Sequence, residues 1–220
     1  MKTITTFLLL ASPFLFFAFC IQLSAVSADI AVDDYVRAIN GKALRTRVEY
    51  YILPVNRGRG GGLALDKKLN GTQCPLEVVQ EQTEVSNGLP VTFTSVDPKA
   101  KLVRISTDLN VKFSAMSICV QSMVWRLAEF DEPAQQRFIE MSGVEGNPGP
   151  ATAANWFKIE KDGDSKDYKL VFCPSVCNFC RFACRNVGIY IGGDGVRRLA
   201  LVNFDAEPFK IMFKKVSSTY

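Results

Sequence analysis

Histidine does not occur once in the 220 residues. Its absence removes the Ser-His-Asp and Cys-His nucleophilic arrangements and the HExxH zinc site. It also removes the side chain whose unperturbed charge changes between about pH 5 and pH 8. Paired carboxylates could still perform acid–base chemistry. The adjacent acids Asp33-Asp34 and Asp131-Glu132, however, read as exposed turn residues, and no feature selects two carboxylates as a pair. The expectation is a non-enzyme with no cofactor and no metal site.

A large excess of one charge sign is also lacking. Lys and Arg number 26 against 22 Asp and Glu, a formal net charge of +4. The basic residues are scattered, and no stripe combines them with aromatics, so nucleic acid is not an expected partner. The pairs Lys67-Lys68, Arg197-Arg198 and Lys214-Lys215 read as solvated turns and strand ends. The stretch Gly58–Gly62 lacks the G-x-G-x-x-G spacing and no helix follows it, so it reads as a flexible turn and not a phosphate cradle.

Long apolar runs are absent except at the start. Lys2 is followed by the uncharged segment from Phe7 to Ile21, interrupted by Pro13, and then by Ser24-Ala25-Val26-Ser27-Ala28. Val26 and Ala28 suit the −3 and −1 positions of a signal peptidase site. Residues 1–28 are therefore expected to be a signal peptide and 29–220 the mature domain, with no membrane association after cleavage.

Export decides how the cysteines are read. Cys20 falls in the leader, and Cys74, Cys119, Cys173, Cys177, Cys180 and Cys184 remain. An even number in an oxidising compartment favours disulfides, although spacing alone leaves the connectivity open. Four of the six sit in CPSVCNFCRFAC, residues 173–184. Bunched at these spacings and without histidine, they suit zinc poorly. Asn70-Gly71-Thr72 is an N-glycosylation sequon on an expected turn, which marks Asn70 as a candidate site.

What is abundant is short alternating segments between turn signals. Asn-Gly pairs occur at Asn40-Gly41, Asn70-Gly71 and Asn87-Gly88. Strands are expected at 50–53, 63–65, 91–94, 102–106, 111–113, 124–127, 156–160, 168–172, 188–191, 198–202 and 209–213. Aromatics recur within them at Tyr51, Trp125 and Phe157. Helical periodicity shows only as a possible turn near Pro133–Met141. About ten to twelve closely spaced strands predict an all-β sandwich or barrel.

Several blocks resemble one family across nearly all of residues 29–220. They are Val36, Asn40-Gly41-Lys42, Leu44, Tyr50 and Ile52; Gly61-Gly62-Leu63; Cys74-Pro75-Leu76 with Val78-Val79-Gln80; and Ser106-Thr107-Asp108-Leu109. Trp125-Arg126-Leu127, Gly146-Asn147-Pro148-Gly149-Pro150, Trp156-Phe157-Lys158-Ile159, Tyr168–Cys177 and Val187–Ile191 continue the match. The chain resembles the plant Kunitz-type (soybean trypsin inhibitor) family, in its miraculin-like branch. Ala38 departs from the pattern, standing where the family has aspartate.

The resemblance implies a β-trefoil of about twelve strands in three units. It also implies three disulfides, Cys74–Cys119, Cys173–Cys184 and, nested inside, Cys177–Cys180. It further implies a secreted protein, extracellular or vacuolar, that inhibits a trypsin-like serine endopeptidase in plant defence by presenting a substrate-like loop. The corresponding loop is Ser95–Leu102. Its pocket-filling residue is expected at Lys99, with Pro98 before it, Ala100 after the scissile bond, and Lys101 as the second candidate. Inhibitory members brace this loop with an asparagine side chain, and the aligned residue here is Thr46, which has no amide donor. The alternative is a miraculin-like storage or binding protein without inhibitory activity. No additional cysteine lies between Trp156 and Cys173, so a monomer without an interchain disulfide is expected.

Overall fold

The alternating segments form antiparallel strands in the computed structural model, which describes residues 34–119, 122–163, 167–203 and 205–217. The expected signal peptide and Cys20 lie outside the described residues. The first third of the fold holds β1 (Tyr50–Pro54), β2 (Leu63–Asp66), β3 (Glu77–Gln80) and β4 (Val91–Ser95). The second holds β5 (Leu109–Phe113), β6 (Arg126–Asp131), β7 (Gln136–Glu140) and β8 (Lys158–Lys161), and the third β9 (Tyr168–Phe172), β10 (Arg185–Ile191), β11 (Arg197–Val202) and β12 (Lys210–Lys215).

The pairing closes on itself twice. β1 pairs with both β4 and β12, β4 with β5, β8 with β9, and β9 with β12. Leu109 and Phe157, at the start of β5 and just before β8, exchange two backbone hydrogen bonds of 2.9 Å and complete the ring. Six strands thus make a closed barrel without edges. The remaining strands form the hairpins β2–β3, β6–β7 and β10–β11, whose second strands β3, β7 and β11 all pair with one another. A closed barrel capped by a triangle of hairpins, one from each third, is a β-trefoil.

Strand alternation fills the barrel with aromatic side chains. Phe113, Trp125, Phe157 and Phe172 form one run of rings with centroids 5.5 to 6.2 Å apart. Phe93, Phe213 and Tyr168 form another at 5.7 Å spacing. Such contacts add about 0.5–1.5 kcal/mol per pair beyond area burial. Trp125 and Phe157 are fully buried as the recurring aromatics suggest, but in the first third the core residue is Tyr50, and Tyr51 is only half-buried.

Four expectations are corrected. Residues 136–140 form strand β7, not a helical turn, because pairing to β6, β11 and β3 supplies hydrogen bonds that local propensity does not reveal. Residues 102–106 make only isolated bridges at Leu102 and Arg104 and turn at 105–106. Gly60, Gly61 and Gly62 are buried, not a flexible turn. A Cβ on Gly62 would collide with the Asn87 carbonyl, and one on Gly61 with the Ser86 and Thr83 carbonyls, so glycine here permits close backbone packing.

The fourth correction concerns Arg198, which is 0% exposed and not a solvated strand end. Its guanidinium donates to Glu77 at 2.8 Å, to both carboxylate oxygens of Asp194 at 2.8 and 2.9 Å, and to the Lys67 carbonyl at 3.3 Å. Burial pushes the Glu77 carboxyl up, and the Arg198 hydrogen bond and charge pull against it. Glu140 on β7 takes Arg126 and Lys68, so the hairpin cap is held by ion pairs. No helix among the described residues is long and apolar enough to cross a membrane.

Candidate functional site

Ser95 and Leu109 are paired across β4 and β5, and residues 96–108 project between them. The Val96 N–H donates to the Asp108 carbonyl at 2.9 Å and closes the base. Asp97-Pro98-Lys99-Ala100 follow as a tight turn. Proline presets φ for its second position, and the Asp97 carboxylate accepts the Lys99 N–H at 2.9 Å while the Asp97 carbonyl accepts the Ala100 N–H at 3.1 Å. Pro98, Lys99 and Lys101 are exposed, and Ala100 is half-buried.

The descending leg is zipped onto residues 34–46. Thr46 donates twice, its hydroxyl to the Ala100 carbonyl at 2.8 Å and its N–H to the Lys101 carbonyl at 3.1 Å. Val103, buried, donates to the Leu44 carbonyl at 2.9 Å and accepts the Val36 N–H at 3.0 Å. The Ile105 N–H reaches the Asp34 carbonyl at 2.8 Å, and the Arg104 guanidinium lies 5.1 Å from the centre of the Tyr35 ring. Residues 34–46 are themselves held to the barrel. The Tyr50 hydroxyl accepts the Arg45 N–H at 3.0 Å, and the Tyr168 hydroxyl accepts the Arg37 N–H at 2.9 Å. Thr46, though short, thus braces both carbonyls that follow Lys99.

Three disulfides join Cys74 to Cys119, Cys173 to Cys184, and Cys177 to Cys180. The first encloses the whole of residues 96–108. The second and third staple the β9–β10 connection, and that connection touches the base of the loop. The Ser175 N–H donates to both oxygens of Asp108, at 3.0 and 3.2 Å, and Lys158 donates to the Ser175 hydroxyl at 2.7 Å. Composition and spacing carry no sign of this link between the four-cysteine segment and residues 96–108. An aspartate directly before a strand is the only hint. All six cysteines after residue 20 are in bonds within the chain, which leaves none of them for an interchain bond.

Burial pushes the Asp108 carboxyl above its ordinary value, and Lys158 and Ser175 pull against it. The folded state therefore holds this proton more tightly than the unfolded chain. Stability contributed by Asp108 falls as pH rises from the unfolded value near 3.8 through the folded one. Asp108→Asn should gain on the parent as pH rises from 3.5 to 7, read as the difference in melting temperature. A variant that loses ground over that range would contradict the assignment.

Asn70 is exposed on the β2–β3 turn, its side-chain oxygen accepting the Thr72 N–H at 3.0 Å. Asp131 and Glu132 form a turn in which the Asp131 carboxylate accepts the Ala134 N–H at 3.0 Å. Among the described residues no three of His, Cys, Asp and Glu cluster as a metal site.

A family model described as trypsin and protease inhibitor, of the legume Kunitz type, matches residues 36–215. Kunitz trypsin inhibitor 5 of Arabidopsis thaliana is 52% identical over 202 residues, covering 92% of this chain and 95% of its own. Miraculin of Synsepalum dulcificum is 47% identical over 194 residues, 86% of this chain and 87% of its own. Among solved structures, a Kunitz-type cysteine protease inhibitor from potato superposes with a TM-score of 0.70 at 33% identity, over 84% of this chain and 98% of its own.

Proposed function

The chain belongs to the plant Kunitz-type family of trypsin and protease inhibitors, and from that premise we propose that it inhibits a trypsin-like serine endopeptidase through Lys99, with Lys99–Ala100 as the bond offered to the enzyme. The family role is non-enzymatic, and a serine protease is the partner at family level. We further infer secretion, extracellular or vacuolar, after removal of residues 1–28, a role in plant defence, and glycosylation at Asn70.

One observation carries the reading. Lys99 is exposed at the tip of a loop whose next residues are hydrogen-bonded to an anchored segment. A lysine ammonium suits a specificity pocket with an aspartate at its floor. Fixing the leg beforehand reduces the ordering cost of binding. It also keeps the new amino group of Ala100 beside the Lys99 carboxyl after cleavage, which favours resealing over release.

Thr46→Val keeps the shape and removes the hydroxyl donor. A lost hydrogen bond of about 0.5–1.5 kcal/mol should weaken inhibition about 2- to 10-fold and speed cleavage of Lys99–Ala100. An inhibition constant unchanged by the substitution would remove Thr46 from the account.

The second reading, a storage or binding protein without inhibition, also has an observation behind it. The Lys99 and Ala100 N–H groups both turn inward onto Asp97, so the tip is a closed turn that a protease must open before it can pair with an extended segment. Parallel titrations of trypsin, chymotrypsin and a papain-like protease separate the two. Stoichiometric inhibition of trypsin supports the first, and none at micromolar protein leaves the second.

A further inference from the structure

A groove of about 740 Å³ opens between the link that follows β1 and the link that precedes β12, and none of residues 95–102 lines it. Its size lies within the range of small-molecule sites, about 300–1,000 Å³. One wall is apolar, formed by Ile189, Ile191 and Phe209. Ile191 is 55% exposed. Beside this wall, Arg197 is paired with Ile191 across β10 and β11 and with Gln80 across β11 and β3, and Arg59 also lines the groove.

The polar side is not internally satisfied. Arg197 Nε donates to the Gln80 side-chain oxygen at 2.8 Å, which fixes the half-buried guanidinium. Gln80 is only 2% exposed, yet its Nε2 has no hydrogen-bond partner. A buried donor left unpaired is costly. Among the described residues no carboxylate pairs with Arg197 (its neighbour Arg198 has two). Burial and the like charge of Arg59 both push the Arg197 guanidinium below its ordinary value. Lys210, also on the rim, is taken by Asp162 at 2.9 Å. Among the described residues Arg59 has only the distant, exposed Glu207 at 3.9 Å. Gly60 completes the floor. Its φ is +104°, and a Cβ there would press on the Gln80 amide and the Glu81 carbonyl. The glycine-rich stretch therefore lets the backbone close over Gln80 and carries Arg59 to the rim.

We propose that this groove binds a small organic anion, with its carboxylate on the Arg197 guanidinium, Arg59 above and the Gln80 amide behind, and its apolar body against Ile189, Ile191 and Phe209. The charge supplies orientation and the apolar wall supplies area, the usual division in small-molecule sites. The site is separate from the Lys99 loop, and the proposal stands whether or not that loop inhibits a protease.

The test is calorimetric titration of the full protein with 4-phenylbutyrate, with its neutral amide 4-phenylbutanamide as the control. The acid should bind with Kd below about 1 mM, and the amide at least about 10-fold more weakly. Arg197→Gln should weaken the acid at least about 10-fold, Arg59→Ala by about 3-fold, and Lys99→Ala not at all. The methyl resonances of Ile189 and Ile191 in the unsubstituted protein give a readout that needs no variant, and they should shift with the acid. No binding up to about 10 mM, equal binding of acid and amide, an unchanged Arg197→Gln, or shifts confined to other methyl groups would each overturn the proposal.

Discussion

Lys99→Ala should weaken inhibition of a trypsin-like protease by about 100-fold or more, about 2.7 kcal/mol, with the melting temperature unchanged. The side chain is exposed and makes no hydrogen bond or ion pair among the described residues, so its removal leaves the fold intact. The cost falls entirely on the complex. An aspartate at the floor of a specificity pocket is desolvated when the inhibitor seals it, and alanine leaves that charge without a partner. Lys101→Ala should change the inhibition constant by less than about 3-fold, because the Lys101 carbonyl is already committed to the Thr46 N–H and its side chain stands beyond the proposed bond. Inhibition constants and melting curves of the two variants check the assignment. Loss through Lys101 with Lys99 silent would move the site by two residues.

Cutting the long disulfide has the largest expected effect on stability. Cys74 and Cys119 are 45 residues apart, and chain-entropy reasoning for such a loop gives about 4 kcal/mol. For a domain of this size the midpoint of the Cys74→Ser, Cys119→Ser variant should fall by about 8–16 °C. Removing the Cys177–Cys180 pair, only three residues apart, should cost about 2 kcal/mol. The order matters more than the values, since the long bond encloses β3, β4, β5 and the Lys99 loop while the short one closes a single turn. A long-loop variant that melts within about 1 kcal/mol of the parent would contradict this view.

The barrel strands were legible in the sequence because each alternates with one face in the core, as Val91-Thr92-Phe93-Thr94 and Tyr168-Lys169-Leu170-Val171-Phe172 do. What was not legible depends on partners distant in the chain. Strand β7 carries Glu140 into the cap because Arg126 and Lys68 wait there, so its burial contradicts its polarity. Arg198 is buried for the same reason, with Glu77 from β3 and Asp194 from the turn before β11. Segment 102–106 alternates like a strand but pairs with an irregular N-terminal segment, and so contributes bridges and not a ladder.

The candidate loop Ser95–Leu102 came from the family resemblance and falls between β4 and β5, but what holds it was hidden. Thr46 has no amide, and the sequence offers no means of seeing that its hydroxyl and its N–H reach adjacent carbonyls. Nor does spacing show Asp108 receiving the Ser175 N–H from the four-cysteine segment. Residues 173–184 thus do more than close their own turn, since they brace the base from which Lys99 projects.

The account turns on which bond a protease meets first. Prolonged incubation with a small amount of trypsin, followed by reduction and mass spectrometry, reads this directly. The account predicts one slow cut, a new N-terminus at Ala100, and two pieces that separate only on reduction because Cys74–Cys119 spans the nick. A first cut at any other lysine or arginine, or rapid digestion of the whole domain, would contradict it.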